Sequence, residues 1–557
     1  MRPKLLIIGL DGATFSLIRP WSERGLLPNL KRLMDEGSCG VLTSTILPIT
    51  APAWASFITG VNPGKHGLYD FSVREEGGYG LVPVNGSYRK ARAFWDYLAE
   101  DDVQVGVVNM PGTYPPEPMN GFMVTGMLTP SMEMEFTYPA DLGDELRRMG
   151  YTILFQEVYS GNNEAAVLED ILQTACSRRE ALLHMIKTRH WDIFFTVLPE
   201  TDNLSHFFWG FMDPGHPLHD AQKAVHFGDA LQRIYMQADE TIGDLLSSVD
   251  GQTIVLIMSD HGSGPLYKNL FLNNYLLQLG MMKMKSTIST RVKNGLTRLG
   301  FTVTTAHDLL SKVGLAKRVR HTIGYSGKKS LMTKLLNLFL TFEDVDWSRT
   351  KAYSAGNYGQ IYINLRGREP RGIVQPGAEY EEIRKQIIDR LRELRDPDTG
   401  SPIVDRVFKR EEIYTGPYVD QAPDIIFLPY EMKYMTSRFL EFASSRIVEP
   451  AARHRTGGHT MEGICILRGP SIRSGHRIEG ARLIDLTPTI LHLFGSAIPG
   501  EMDGHVLTDV FEPDSQWSSR APQLSEVPIS RYRSTVQSDE DDQEMIKKRL
   551  QGLGYIA

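Results

Sequence analysis

Short apolar runs recur along the chain, with polar, turn-forming residues at their ends. They occupy residues 5–9, 103–109, 193–198, 253–258, 360–365, 424–428 and 463–468 and are rich in Val, Ile, Leu and Phe. Runs of this length and make-up predict strands buried on both faces. Between several of them apolar residues return at helical spacing, most clearly over 164–188, 220–248 and 380–394. Strand alternating with helix predicts an α/β fold, a mostly parallel sheet flanked by helices on both faces. The first run is shorter than the roughly 7–15 apolar residues of a signal segment and reads as a buried strand. No run reaches the roughly 18 apolar residues of a membrane span.

Two regions break the alternation. Residues 281–334 hold twelve Lys or Arg and one acid, Asp308, in a helical pattern. From 512 to about 543 the chain is rich in Ser, Pro and acids, and residues 544–556 read as a short helix with an apolar end that docks back. The expected division is a core in two parts, 1–280 and 346–511, a basic helical insertion or cap at 281–345, and a linker and tail at 512–557. Within the insertion, Leu309, Leu310, Val313 and Leu315 stand beside Lys312, Lys317, Arg318 and Arg320. That is the pattern of a basic amphipathic helix on an anionic membrane.

Composition adds exclusions. The 557 residues are 41% hydrophobic and 23% charged, ordinary for a globular protein. A net charge of -7 argues against nucleic acid as a partner. Cys39, Cys176 and Cys465 are far apart, which makes neither a disulfide framework nor a Cys-based zinc site and fits a cytoplasmic location. Nothing in the pattern speaks to oligomeric state.

The chemistry lies just after the strands. Asp11 follows the first run, Asp202 and His206 follow the third, and Asp260 and His261 follow the fourth. In a parallel sheet those strand ends share one edge, where ligands bind. Converging carboxylates repel one another and rise in pKa unless a cation sits among them. A divalent metal resolves this, and Asp with His but without Cys suits zinc, manganese or iron. Each piece has an ordinary reading, since an Asp after a strand is more often a helix N-cap than a ligand. The adjacent pair in Ser259-Asp260-His261-Gly262 is more specific, and convergence of the set carries the inference. Thr50, two residues before Pro52, is expected at or just before a helix cap. There it is either a plain cap or a nucleophile at a phosphate-binding helix end, activated by a metal on its oxygen.

At these residues the chain resembles the type I phosphodiesterase/nucleotide pyrophosphatase branch of the alkaline phosphatase superfamily, nearest to bacterial and archaeal predicted phosphohydrolases or phosphomutases. The resemblance runs through Ile7-Ile-Gly-Leu-Asp-Gly-Ala, Thr50-Ala-Pro-Ala-Trp-Ala-Ser-Phe-Ile-Thr-Gly, Asn62-Pro-Gly-Lys-His-Gly67, Asn109-Met-Pro-Gly-Thr-Tyr-Pro-Pro, Thr201-Asp-Asn-Leu-Ser-His206, Ser259-Asp-His-Gly and Gly458-His-Thr-Met-Glu-Gly463. It implies two divalent metal ions, zinc with manganese as the alternative. One would be held by Asp11, Thr50, Asp260 and His261, the other by Asp202, His206 and His459. His459 enters only through the resemblance, while His66, His216, His219 and His454 match no ligand position. The nucleotide pyrophosphatases carry a phosphate-holding Asn after the pair matching His66-Gly67, and here Leu68-Tyr-Asp-Phe71 lacks it. Asn109 is the candidate replacement, its ordinary role being a strand-end turn.

The resemblance implies in-line displacement at phosphorus through a phospho-threonine on Thr50. Two divalent cations against three carboxylates and an alkoxide make a near-neutral site, which suits a singly charged phosphodiester; a dianionic monoester would call on Arg89, Lys90, Arg92 or the insertion. A metal-dependent phosphomutase or phosphotransferase on the same core is the first alternative. A sulfatase is disfavoured, because that branch needs Cys or Ser where Thr50 stands. The non-enzyme alternative is an inactive scaffold binding a polyanion or a membrane surface. The insertion, starting some twenty residues after His261, is expected to cap the active-site edge.

Overall fold

The computed structural model describes residues 2–75, 77–299, 301, 339–436, 442, 444–452, 454–530 and 540–553. Nine strands form its central sheet: β1 (Leu5–Leu10), β2 (Ser38–Thr43), β3 (Val105–Met110), β4 (Gly121–Thr125), β5 (Thr137–Tyr138), β6 (Ile193–Leu198), β7 (Ile254–Met258), β8 (Glu462–Arg468) and β9 (Arg477–Ile478). Their order across the sheet is β9-β2-β8-β7-β1-β6-β3-β4-β5. From β7 through β1, β6 and β3 to β4 every pairing is parallel, whereas β8 runs antiparallel to both neighbours and β5 antiparallel to β4. The sheet is mixed, with a parallel centre.

β1 shows why its sequence is apolar throughout. Leu5 and Ile7 enter the apolar layer on one face of the sheet; Leu6, Ile8 and Leu10 enter the layer on the other. With side chains alternating, a strand covered on both sides must be apolar at every position. The helical stretches appear as Glu164–Thr188 and Ala378–Glu393. The stretch 220–248 divides into Ala221–Phe227 and Ala230–Ser247, with Gly228, a weak helix former, at the break. The tail helix, Glu540–Gly552, returns to the main core through Ile546 and Leu550, followed by Leu553.

The runs at 360–365 and 424–428 do not join the central sheet. Strands Ala352–Ser354, Gly359–Ile363, Val404–Lys409 and Ile425–Pro429 make a separate antiparallel sheet. Its core sets Ile361, Ile363, Ile425 and Phe427 against Ile387 and Leu391 of Ala378–Glu393. Run length marks a buried strand but not the sheet it joins. Three further helices matter below: α1 (Thr50–Thr59), α2 (Glu200–Met212) and α3 (Ile288–Arg298). α3 belongs to the expected insertion; residues 302–338, with the amphipathic pattern at 306–320, lie outside the described residues. Among the described residues no helix is long and apolar enough to cross a membrane. The three cysteines are free thiols.

Candidate active site

β7, β1 and β6 are neighbours, parallel and in level register, with Gly9 opposite Met258 and Leu10 opposite Leu198. Whatever follows their C-termini must therefore meet. Asp11 follows β1 directly, Asp260 and His261 follow β7, and Asp202 lies in the first turn of α2 after β6. His206 stands four residues on from Asp202, on the same helix face. All of these, with Thr50 and His459, are at most 2% exposed.

The approach is close enough to require glycine at position 12. Gly12 has φ +65°, and a Cβ there would lie 2.7 Å from Asp202 Oδ1 and 2.8 Å from Ser263 Oγ. Both the left-handed backbone and the lack of space exclude a side chain. Hydroxyl groups then fasten the loops. Thr201 Oγ1 donates to the Asp11 carbonyl at 2.6 Å, and Ser44 Oγ to that of Asp260 at 2.6 Å.

Thr50 is the first residue of α1, the cap position being Ile49 in extended conformation. This shifts the expected position by one residue, because Ile49 keeps β-type backbone angles and the helix begins only after it. Thr50 Oγ1 lies 3.2 Å from His261 Nε2. One turn along α1, Trp54 donates its indole N–H to Asp11 Oδ2 at 3.1 Å.

His459 arrives by a route no sequence spacing reveals. It lies on the short strand Gly457–Thr460, antiparallel to Gly262–Pro265 with His459 opposite Ser263, which sets its ring on that of His261 at 3.7 Å between centroids. His459 Nδ1 donates to the Pro48 carbonyl at 2.7 Å and His261 Nδ1 to the Gly262 carbonyl at 3.1 Å. Since carbonyls only accept, Nδ1 carries a hydrogen in both imidazoles and Nε2 is the ring nitrogen left facing the site. His459 Nε2 is 3.1 Å from His206 Nε2, which is 2.9 Å from Asp202 Oδ2.

Two sets of side chains bring their ligand atoms within 4.8 Å of one another: Asp202, His206 and His459, and Asp11, Asp202 and His261. Asp202 thus reaches both groups, whereas the expected division placed it in one. Asp260 adjoins the second set, its Oδ2 3.4 Å from His261 Nε2. Asp11 Oδ1 and Asp260 Oδ2 are buried with no hydrogen-bond partner. Burial, with the Asp260 and Asp202 charges, drives the Asp11 carboxyl well above its usual range, and burial with the Asp202 charge pushes Asp260 up to about 6. Burial holds His206 and His459 below the usual imidazole range, so they are neutral. Orphaned carboxylate oxygens among imidazole nitrogens are what a divalent cation satisfies, and the donors suit one.

Other side chains fall into place differently. Asn109, next to last in β3, has φ +61° and donates its amide to the Val197 carbonyl at 3.0 Å, a strand-end role. His66, His216 and His219 bond to the Ser56 hydroxyl and to the carbonyls of Leu266 and Gly210. Arg89 pairs with Glu117 and Arg92 with Glu100, so both cations are already matched by acids. Sequence reasoning missed three contributors. Trp54 had a signal, being one helical turn from Thr50. Tyr358, whose phenol oxygen accepts the His459 backbone N–H at 3.1 Å, and Arg455, whose positive field bears on His206 and His459, had none.

A parallel-centred α/β sheet with Asp/His clusters at its C-terminal edge is the alkaline-phosphatase-like architecture of phosphoester hydrolases. The chain belongs to the type I phosphodiesterase / nucleotide pyrophosphatase family, whose model matches residues 5–442. Among solved structures, phosphonoacetate hydrolase from Sinorhizobium meliloti 1021, in complexes with phosphonoformate and with phosphonoacetate, aligns at TM-score 0.52 and 15% identity over 89% of this chain and 96% of that one. Human ectonucleotide pyrophosphatase / phosphodiesterase 5 aligns at TM-score 0.48 and 12% identity over 91% of this chain and 99% of that one. At 15% identity the likeness to phosphonoacetate hydrolase is one of fold. Comparison with curated protein sequences returns no match.

Proposed function

We propose that this phosphoester hydrolase cleaves a phosphodiester with Thr50 as nucleophile. The observation that carries the reading is Thr50 Oγ1 at the start of α1, 3.2 Å from His261 Nε2, a nitrogen that itself lies 3.6 Å from Asp11 Oδ1 and 3.4 Å from Asp260 Oδ2. Asp11, Thr50, Asp260 and His261 would hold one divalent ion and Asp202, His206 and His459 a second, zinc first and manganese as the alternative. Such ions supply Lewis acidity and lower the pKa of bound hydroxyls.

The chain's own residues do the rest. The first turn of α1 presents its dipole to the phosphoryl group. The Thr50 oxygen attacks phosphorus, the ester P–O bond breaks, and the alcohol leaves with a proton. Water then attacks the phospho-threonine, releasing a phosphomonoester and restoring the hydroxyl. Trp54 holds the Asp11 carboxylate, the Pro48 and Gly262 carbonyls hold two imidazoles in one tautomer, and close packing excludes bulk water. The second amide hydrogen of Asn109 is a candidate donor to the bound phosphoryl oxygen.

Acid-quenched turnover of bis(p-nitrophenyl) phosphate should yield a digest in which Thr50 carries a p-nitrophenyl phosphoryl group. Thr50→Ala should lower kcat by at least about 10³-fold, about 4 kcal/mol of barrier, with the fold intact. Activity within about tenfold of wild type would remove Thr50 from the role. One observation favours a second substrate class: Arg455, 8% exposed and acting on His206, His459 and Tyr358, is a cation able to meet the extra charge of a monoester.

A further inference from the structure

Helix α3 carries Ile288 and Val292 on the side away from the protein, with Leu296 half-buried at its flank. Its inner face is polar: Thr290 and Thr297 are buried, Thr290 Oγ1 donates to Asp344 at 3.0 Å, and Lys293 Nζ reaches the same carboxylate at 2.9 Å. Its outer face presents Ile288 and Val292, at 83% and 56% exposure, and the stripe continues through the C-cap Leu299 at 82% to Phe301 beyond it at 62%. At about 100° per residue positions 288, 292 and 299 fall within about 40° of one another, a single stripe. Scattered exposed apolar residues are ordinary on a protein surface; a stripe backed by a polar inner face is not. Of the eight exposed large apolar side chains among the described residues, four belong to this segment.

Charge indicates what the stripe meets. Residues 281–301 contain Lys283, Lys285, Arg291, Lys293 and Arg298 and no acid, in a chain whose net charge is -7. Asp344 is matched by Lys293, and Glu343 lies beside Lys285. Arg291 and Arg298, both exposed, are seven residues apart and so flank the stripe on one side. A second copy docked antiparallel through the same stripe would set these arginines against their own images across a two-fold axis.

We propose that α3 and the turn after it dock on an anionic lipid surface, with Ile288, Val292, Leu299 and Phe301 in the headgroup–acyl boundary and the cations on lipid phosphates. Docking here is separate from the ester chemistry and tethers the enzyme to a surface.

The full chain is sedimented with vesicles of equal parts phosphatidylcholine and phosphatidylglycerol, and with phosphatidylcholine alone. The wild type should bind the anionic vesicles and lose that binding as salt rises. The variant Ile288→Ser/Val292→Ser/Leu299→Ser should bind them at least about tenfold more weakly. The variant Arg291→Gln/Arg298→Gln should lose the preference for anionic over neutral vesicles. Both should keep the wild-type melting temperature and turnover of a soluble ester. Absence of wild-type binding, or unchanged binding by the serine variant, overturns the proposal. A serine variant with a lowered melting temperature and unchanged vesicle binding overturns it in favour of cover by residues 302–338. A changed oligomeric state with unchanged vesicle binding overturns it in favour of a second copy.

Discussion

On the proposed reading, Arg455 bears on substrate choice through its charge, which acts on His206, His459 and Tyr358. The donors are three carboxylates, three imidazoles and a hydroxyl, all buried, and Arg89 and Arg92 are matched by Glu117 and Glu100. The positive field of the buried Arg455 is proposed to favour a second negative charge on phosphate, because in a dry site a charge acts at long range. If Arg455 reads that charge, Arg455→Gln should lower kcat/KM for p-nitrophenyl phosphate by about tenfold or more, about 1.4 kcal/mol, and leave bis(p-nitrophenyl) phosphate nearly unchanged. Equal losses on both esters would give Arg455 a structural role. The scale also shows why a Thr needs its surroundings: its hydroxyl is a weak nucleophile at its ordinary pKa, and the work lies in neighbours that hold it beside charge.

Among elements, α1 is anchored at both ends. Its start carries Thr50, and near its end Ser56 accepts a hydrogen bond from His66 Nε2 at 2.9 Å, while His66 Nδ1 accepts the Leu68 N–H at 3.2 Å. His66 therefore caps the short helix Pro63–His66 against α1 as a neutral ring, and protonation of Nδ1 would break the Leu68 bond. Burial, with the positive field of Arg89, lowers its pKa from 6.5 to about 3. The unfolded chain binds this proton near pH 6.5, so His66 contributes its full stability above that pH and loses it progressively as pH falls towards about 3. The gap in unfolding free energy between wild type and His66→Gln should be widest at pH 7 and narrow as the solution is acidified. Denaturant melts at several pH values measure it, and a gap that stays constant would reject the assignment.

For the whole molecule, the question is how the second sheet bears on the first. Asp70, 5% exposed, accepts from the Asn357 backbone N–H at 2.7 Å, the Asn357 amide at 3.0 Å and the Gln360 amide at 2.7 Å. That clamp ties the loop after α1 to strand Gly359–Ile363, and between Asn357 and Gln360 stands Tyr358, whose phenol holds the His459 backbone. The second sheet thus fixes a side chain of the site from outside the central sheet. Asp70→Ala removes the acceptor of these three bonds and of the Phe71 N–H at 2.7 Å, and each buried donor left unsatisfied costs about 1–3 kcal/mol. Its melting temperature should fall clearly, and turnover should drop even at temperatures where the variant is folded. Full turnover by folded Asp70→Ala would uncouple the second sheet from the site.

Asp11, Asp202, His206, Asp260 and His261 were legible in the chain because each stands at a fixed step after an apolar run, and parallel strands in level register oblige such residues to meet. The parallel centre and most helices were legible for the same reason, since burial on both faces writes itself as unbroken apolar runs. Resemblance, not pattern, pointed to His459, because only its pairing opposite Ser263 brings it to His261. The membership of 360–365 and 424–428 in a second sheet, the reach of Asp202 into both clusters, the roles of Tyr358 and Arg455, and the outward stripe of α3 were decided by tertiary structure. Local pattern records that a residue is buried or periodic; which partner buries it, and which face of a helix the protein leaves uncovered, depends on contacts between segments hundreds of residues apart.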